Sequence, residues 1–529
     1  MSQVFSKVAR FAARYALVSG LMALTLLAFT GCASLPDYVD RPVSTALKPD
    51  VATSLGDLAK SRRPTVRPGY SGFTLIDSAD SAYSSRLALT QQAEKTLDIQ
   101  YYAIHSDPST AQLLRAVRQA AARGVRVRIL LDDFHSTGKN AQIMRMAFVP
   151  GVEMRMFNPL PGGRGSGALR ALGSLNDFMR IQHRMHNKLY IADNAWGITG
   201  GRNLGDAYFG HAQESNFIDM DVLAAGAIVQ DMSASFDRYW NDKLAYPVPS
   251  LITSDELKVL RESAKKAEAT PADRKVIDDL PAAMDLKSEP LIWASAALLV
   301  DKPAKLVPEE NEQVTEKEQD TVIDGLLSWM QQARQEVLIV SPYFVPGPKM
   351  MEFLAGMRAR GVRIRILTNS LASNDAPLAH VGYARYRQDL IKMGAELHEM
   401  RALQREMART VFGSSGGGSK ASLHAKLIVI DGRLISIGSM NLDLRSQLQN
   451  SEVALLIRSR ALSSQASKLI EQTLDEGAWK LKLDGDNGGL VWQAPPGADF
   501  DDASTEPDAS LMLRLILRLW GPLAPDEML

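Results

Sequence analysis

Residues 186–193 read HNKLYIAD, and residues 424–431 read HAKLIVID. The same His-x-Lys-(x)4-Asp phrase thus occurs twice, 238 positions apart, in a chain with only eight histidines. In an extended strand, side chains two apart share a face. His186 and Lys188 therefore point one way, as do His424 and Lys426, while Leu427 and Val429 point into a core. The Asp431–Gly432 pair is a strong hairpin signal, since both residues tolerate the positive φ of a tight turn. The return strands, WGITGGRN in the first copy and RLISIGSMN in the second, deliver Asn203 and Asn441 near one end of each hairpin. The second copy adds the hydroxyl of Ser439, where the first has Gly201.

The duplication extends well beyond the phrase. LDIQYYAI (97–104) is an apolar strand, followed by the helix STAQLLRAVRQAAARG (109–124) and a second strand, VRVRILL. The helix spaces Leu114, Val117 and Ala121 along one face and stops at Gly124. The later copy runs VLIVSPYFV, KMMEFLAGMRARG and VRIRILT. Gly124 and Gly361 lie 237 positions apart, so the copies hold register to within one position. Repeated strand–helix–strand units argue for an α/β protein with parallel sheets covered by helices.

Composition bounds the class. The chain has 529 residues, 46% hydrophobic and 23% charged, with 60 basic and 60 acidic side chains. That is an ordinary globular make-up, and its zero net charge gives no argument for a nucleic-acid-coating surface. One cysteine excludes an internal disulfide and any multi-cysteine metal site. That cysteine, Cys32, follows Lys7, Arg10, Arg14 and the apolar run 15–30, the pattern of an export signal. Positions 32–70 carry scattered prolines and read as a tether. The organisation expected is therefore signal 1–31, tether 32–70, first domain 71–245, charged helical linker 246–320, second domain 321–480, flexible segment 481–508 and apolar helix 509–529. Gly/Ser-rich loops at 161–173 and 413–419 precede the two phrases and suggest mobile covers.

The residue set suits a phosphodiester. One imidazole can attack phosphorus while a second protonates the departing oxygen. Lysines and amides can hold the nonbridging oxygens as charge builds. A His-x-Lys pair is poor metal-ligand spacing, because an ammonium cannot bind a cation. No metal and no cofactor are expected.

With its doubled motif and downstream Gly-Gly/Ser, the chain resembles the phospholipase D superfamily over roughly 70 to 480. The resemblance implies two repeated domains, each a mostly parallel sheet flanked by helices, with the active site at their pseudo-twofold interface. It further implies a phosphohistidine intermediate, with His186 as nucleophile and His424 as acid and later base; the residues themselves do not separate these roles. Asn203, Ser439 and Asn441 would bind the substrate phosphate. Asp193 and Asp431 complete the motifs, as turn or ion-pair residues rather than as chemical groups. Each histidine needs a carboxylate on its far nitrogen. Glu452 fits the family's Asn-x-Glu pattern. In the first half, NFID points to Asp219 over Glu214 as the partner of His186.

HAKLIVIDGRLISIGSMNLDLRS looks most like the second motif of bacterial cardiolipin synthases. The activity this implies is transfer of a phosphatidyl group to phosphatidylglycerol, with phosphatidylglycerol or phosphatidylethanolamine as donor. The alternatives are a hydrolytic phospholipase D, a nuclease, and a lipid-binding lipoprotein without catalysis. TGCAS around Cys32 resembles a bacterial lipoprotein signal, although Phe29 stands where leucine is usual. With Ala33 after the cysteine, the resemblance implies a periplasm-facing lipoprotein of the outer membrane; the alternative is an uncleaved inner-membrane anchor. Phospholipids and a membrane, not nucleic acid, are the expected partners. The terminal LMLRLILRLWGPL reads either as a buried helix or as one lying against a membrane.

Overall fold

The computed structural model describes residues 35–36, 38–65, 67, 69–161, 164, 178–266, 270–307, 321–403, 420–485 and 488–520. The first half contributes strands β1 (Ser71–Ile76), β2 (Thr96–Tyr101), β3 (Arg126–Asp132), β4 (Val152–Phe157), β5 (Leu189–Ala192), β6 (Trp196–Gly200), β7 (Ser215–Ile218), β8 (Asp221–Ala225) and β9 (Ala245–Pro247). The second contributes β10 (Ile292–Val300), β11 (Glu336–Val340), β12 (Arg363–Asn369), β13 (Glu396–Met400), β14 (Lys420–Leu423), β15 (Leu427–Ile430), β16 (Leu434–Gly438), β17 (Val453–Arg458), β18 (Ala478–Leu483) and β19 (Leu490–Gln493). The pairings run β9-β4-β3-β2-β5-β6-β8-β1 in one half and β10-β17-β16-β15-β11-β12-β13-β18-β19 in the other. Two copies of one topology result. The protein is mixed α/β, but the sheets are less parallel than the sequence suggests. Among the described residues of these two sheets, parallel pairing is confined to β2-β3-β4 and β11-β12-β13, because each His-x-Lys hairpin returns antiparallel beside them.

The crossover helices form for local reasons. In Pro108–Ala122, the Asp107 side chain caps the backbone N–H of Thr110, and Pro108 pre-sets φ in the first turn. Leu113, Val117 and Ala120 are fully buried on its inner face. Gly124 and Gly361 take φ of +94° and +83° just past their helices, which is where a side chain would be strained.

Three expectations about connecting segments are overturned. The 246–320 linker does contain helices Ser254–Lys266 and Pro271–Asp279, but then forms β10. Phe73 of β1 pairs with Ile292 at one end of β10, and Val453 of β17 pairs with Val300 at the other, so the linker stitches both sheets into one array. The 32–70 tether, where it is described, is packed down. Ala46 N–H donates to Asp237 at 2.7 Å, Arg128 donates to the Ser44 carbonyl at 2.9 Å, and helix Ser54–Arg62 buries Leu55 and Ala59. The 481–508 segment forms β19. Its Trp492 indole donates to Glu399 at 2.7 Å, and Glu506 pairs with buried Arg387 at 2.6 Å. These stretches lack periodicity because single anchors hold them, not a continuous apolar face. Cys32 and both Gly/Ser loops lie outside the described residues, apart from Pro161 and Arg164.

The halves meet through backbone exchange. β14 pairs in parallel with β7, and Met185 bridges Ser451. The backbone N–H of His186 donates to the Ser451 carbonyl at 2.9 Å, and that of His424 to the Ile218 carbonyl at 2.7 Å. Each histidine is thus docked onto the residue just before an acid of the opposite half. A pseudo-twofold axis runs between them.

Candidate active site

Both motif strands enter the interface from buried hairpins. At their turns, Asp193 and Asp431 take φ of +52° and +50°. The Asp193 carboxylate accepts the backbone N–H groups of Glu94, Lys95 and Thr96 at 2.8–2.9 Å. Asp431 does the same for Arg334, Gln335 and Glu336 at 2.8–3.2 Å. Each aspartate therefore ties the far end of its hairpin to the strand beside it, at the opposite end from the histidine.

His186 and His424 line one cavity of about 840 Å³. Nδ1 of His186 lies 3.0 Å from both carboxylate oxygens of Glu452, and Nδ1 of His424 lies 2.7 Å from Asp219. This corrects the expected pairing: each histidine is served by the acid of the other half. Glu214 is exposed, and among the described residues it contributes only its backbone carbonyl, to Lys420 N–H at 2.9 Å. With a carboxylate on Nδ1, the proton stays on that nitrogen and Nε2 keeps its lone pair toward the cavity.

The lysines stand behind the rings. Lys188 Nζ donates to the His186 carbonyl at 2.7 Å and Lys426 Nζ to the His424 carbonyl at 2.5 Å. Burial pushes Lys188 down to about 7 and Lys426 to about 8, although the carboxylates nearby favour the charged form. Burial, and then both lysines, hold His186 well below the usual imidazole range. Burial and Lys426 also lower His424, opposed by Asp219. The two acids differ. Burial pushes Glu452 up to about 7, offset in part by Lys188. Burial would also raise Asp219, but His424, Lys426 and Arg202 outweigh it and hold the carboxyl at about 2.

The three residues assigned to phosphate binding part company. Ser439 is fully buried; its hydroxyl donates to Glu452 and accepts from Val453 N–H at 3.0 Å, so it braces the acid, and it is not among the residues lining the cavity. Gly201 is its counterpart. A Cβ there would sit 2.4 Å from an Asp219 oxygen, so the first half has no room for a serine. Asn203 is braced by Ala103 N–H at 3.2 Å and by the Tyr208 hydroxyl at 2.9 Å, and it lines the cavity. Asn441 also lines the cavity, and among the described residues its buried side-chain oxygen has no hydrogen-bond partner.

Aromatic walls were missed from sequence. Tyr102 packs edge-on to His186 at 4.9 Å, while Tyr208 and Phe217 flank His424 at 5.3 and 5.0 Å. Tyr102 and Tyr343 both line the cavity. The signal was available: each follows the first strand of its repeat, in QYYA and SPYF. Among the described residues, no cluster of three or more His, Cys, Asp or Glu side chains could hold a metal ion.

Two imidazoles with fixed tautomers, backed by cations and enclosed by apolar rings, are arranged for displacement at phosphorus. The model of the family described as cardiolipin synthase, PLD-like domain, matches residues 87–240 and 326–474. The chain belongs to this family, and so to the phosphatidyltransferase enzymes of the phospholipase D superfamily. It is 36% identical to cardiolipin synthase C of Escherichia coli strain K12, covering 85% of this chain and 95% of that one. It is 32% identical to an uncharacterized protein of Helicobacter pylori strain 26695, covering 96% and 99%. Phosphatidylserine synthase of Haemophilus influenzae shares the fold, with a TM-score of 0.53 at 15% identity over 80% of this chain and 92% of that one.

Proposed function

We propose that this protein is a cardiolipin synthase that transfers a phosphatidyl group to phosphatidylglycerol through a phosphohistidine. The observation that carries the reading is the crossed pair of dyads, His186–Glu452 and His424–Asp219, facing one cavity.

Nε2 of His186 attacks the donor phosphorus, and the P–O bond to the headgroup breaks. His424 gives its proton to that departing oxygen, which leaves as an alcohol. The acceptor's glycerol hydroxyl then attacks phosphorus, His424 takes its proton, and the P–N bond to His186 breaks. The electrostatics support this order of roles. His186 is the more strongly held neutral, as a nucleophile must be, whereas the ionised Asp219 favours a proton on His424. The Asn203 and Asn441 amides offer N–H groups to the nonbridging oxygens, and Lys188 and Lys426 supply positive charge from behind the rings.

A bilayer is the proposed surface of action. Among the described residues no helix is long and apolar enough to cross a membrane. The C-terminal helix Leu511–Trp520 nevertheless exposes Leu511, Met512, Leu515 and Leu519. It packs beside helix Pro377–Ala384, whose exposed Leu378 lines the cavity mouth. Together with the lipoprotein-like segment ending at Cys32, this supports a periplasm-facing outer-membrane lipoprotein lying against its substrate.

Expression in a bacterial host that lacks cardiolipin tests the reading. Cardiolipin should return with the wild-type protein and not with His186→Ala or His424→Ala. Its return with either variant would overturn the two-histidine mechanism.

A further inference from the structure

The pseudo-twofold axis repeats the histidines, lysines and asparagines, so the places where it fails are informative. After Asn203 the first half continues Leu-Gly-Asp-Ala, and after Asn441 the second continues Leu-Asp-Leu-Arg. Ala207 and Arg445 therefore occupy equivalent positions, and both line the cavity. One wall carries a methyl group where its mate carries a guanidinium.

Arg445 is half-buried, and among the described residues its side chain has no ion pair and no hydrogen bond. It is close enough to raise the cost of a proton on His186 and on His135 of the opposite half. The carboxylates on its wall are engaged elsewhere. Asp443 accepts Ser446 N–H at 2.6 Å, capping the helix Leu444–Leu448, and Asp375 accepts the Tyr343 hydroxyl at 2.7 Å. Burial also pushes Asp443 up to about 6, against the opposing pull of Ser446 N–H and of the Arg445 charge nearby. Beside Arg445, Asn450 lines the cavity, and among the described residues its buried side-chain oxygen has no hydrogen-bond partner. This wall thus offers a free guanidinium fork and a free hydrogen-bond acceptor.

We propose that Arg445 and Asn450 form the acceptor subsite, with Arg445 binding the acceptor's own phosphate and Asn450 a glycerol hydroxyl. The assignment rests on the synthase reading above. A transfer that joins two phospholipids needs room for two phosphates, one on His186 and one three carbons from the attacking hydroxyl. The motif lysines and asparagines come in symmetric pairs around the first. Arg445 is an unpaired, asymmetric cation, which is what a second phosphate on one side requires, and a guanidinium binds it through two N–H groups.

The test offers soluble acceptors at equal concentration to the full-length enzyme on phosphatidylglycerol vesicles: glycerol, which has no phosphate, and glycerol 3-phosphate. Products are resolved by mass spectrometry. Wild type should favour the phosphate-bearing acceptor by about tenfold or more, the range of a charge-assisted hydrogen-bonded contact. Arg445→Ala should bring the ratio near one, and Arg445→Lys should restore part of it. The ratio is internal to each sample, so it is insensitive to the fraction of enzyme folded. Equal use of both acceptors by wild type, or an unchanged preference in Arg445→Ala, overturns the Arg445 assignment alone. A wild type that transfers to no acceptor and releases only phosphatidic acid overturns the synthase reading, and the subsite with it.

Discussion

Replacing Asp219 by asparagine keeps the shape of the side chain and removes only its charge. Asp219 is fully buried, 2.7 Å from Nδ1 of His424, and its carboxyl is held at about 2 against an ordinary 3.8. That depression corresponds to roughly 2 kcal/mol of preference for the charged form. His424, Lys426 and Arg202 share in it, with His424 the largest contributor. Losing most of it when His424 must hold a proton should slow transfer between about tenfold and a hundredfold, the rate equivalent of roughly 2 kcal/mol. The pH profile gives a second reading. An ionised Asp219 raises the pKa of His424, so its removal lowers that pKa, and the limb that depends on a protonated His424 should move to lower pH. Cardiolipin formation from phosphatidylglycerol vesicles, followed from pH 5 to 9, measures both. Glu214→Gln, at an exposed site, is the control and should be silent. Near-wild-type activity in Asp219→Asn, or an effect of Glu214→Gln as large, would refute the crossed-dyad arrangement.

Asp193→Ala should cost about 1–3 kcal/mol of stability, because the backbone N–H groups of Glu94, Lys95 and buried Thr96 lose a charged acceptor and alanine is strained at φ +52°. Denaturant unfolding measures the loss, while turnover per folded molecule should hold. In the wild type, activity should fall as pH rises through about 7 to 8, where Lys188 and Lys426 lose their charge. It should also fall as pH drops below about 7, where Glu452 takes up a proton. A flat profile from pH 6 to 9 would contradict both assignments. Dialysis against a strong chelator should leave the rate on a soluble phosphodiester unchanged, and restoration by a divalent ion after a loss would disprove the cation role given to the lysines.

The duplicated architecture was legible because apolar periodicity and the spacing of Gly124, Gly361, His186 and His424 record it directly. The orienting acids were legible as residues but not as partners. Glu214 and Glu452 each lie 28 positions after a histidine, which invites pairing within a half. Spacing along the chain carries no information about a symmetry axis, and it is the exchange of His186 N–H to Ser451 and His424 N–H to Ile218 that crosses the pairs. Ser439 was misread for a related reason. A hydroxyl beside a phosphate motif suggests phosphate, yet the serine sits behind Glu452, and Gly201 answers it only because Asp219 fills the space. The segments 32–70 and 481–508 were read as loose because, where described, they bury scattered single residues, a pattern that periodicity does not detect. Arg445 stood in plain view in NLDLRS. Its meaning appears only when Ala207 is found at the equivalent place in the same cavity.

A phosphatidyl-histidine reacts with any hydroxyl, and water outnumbers lipid headgroups, so a synthase must hold its acceptor and exclude water while the intermediate lasts. The aromatic walls of the shared cavity and the apolar helix beside its mouth point that way. The direct measurement is the product mixture formed by the full-length protein in phosphatidylglycerol vesicles, with and without phosphatidylethanolamine, resolved by mass spectrometry. Cardiolipin and a released small alcohol should dominate over phosphatidic acid. Phosphatidic acid as the main product would contradict the account and leave a hydrolytic phospholipase D in its place.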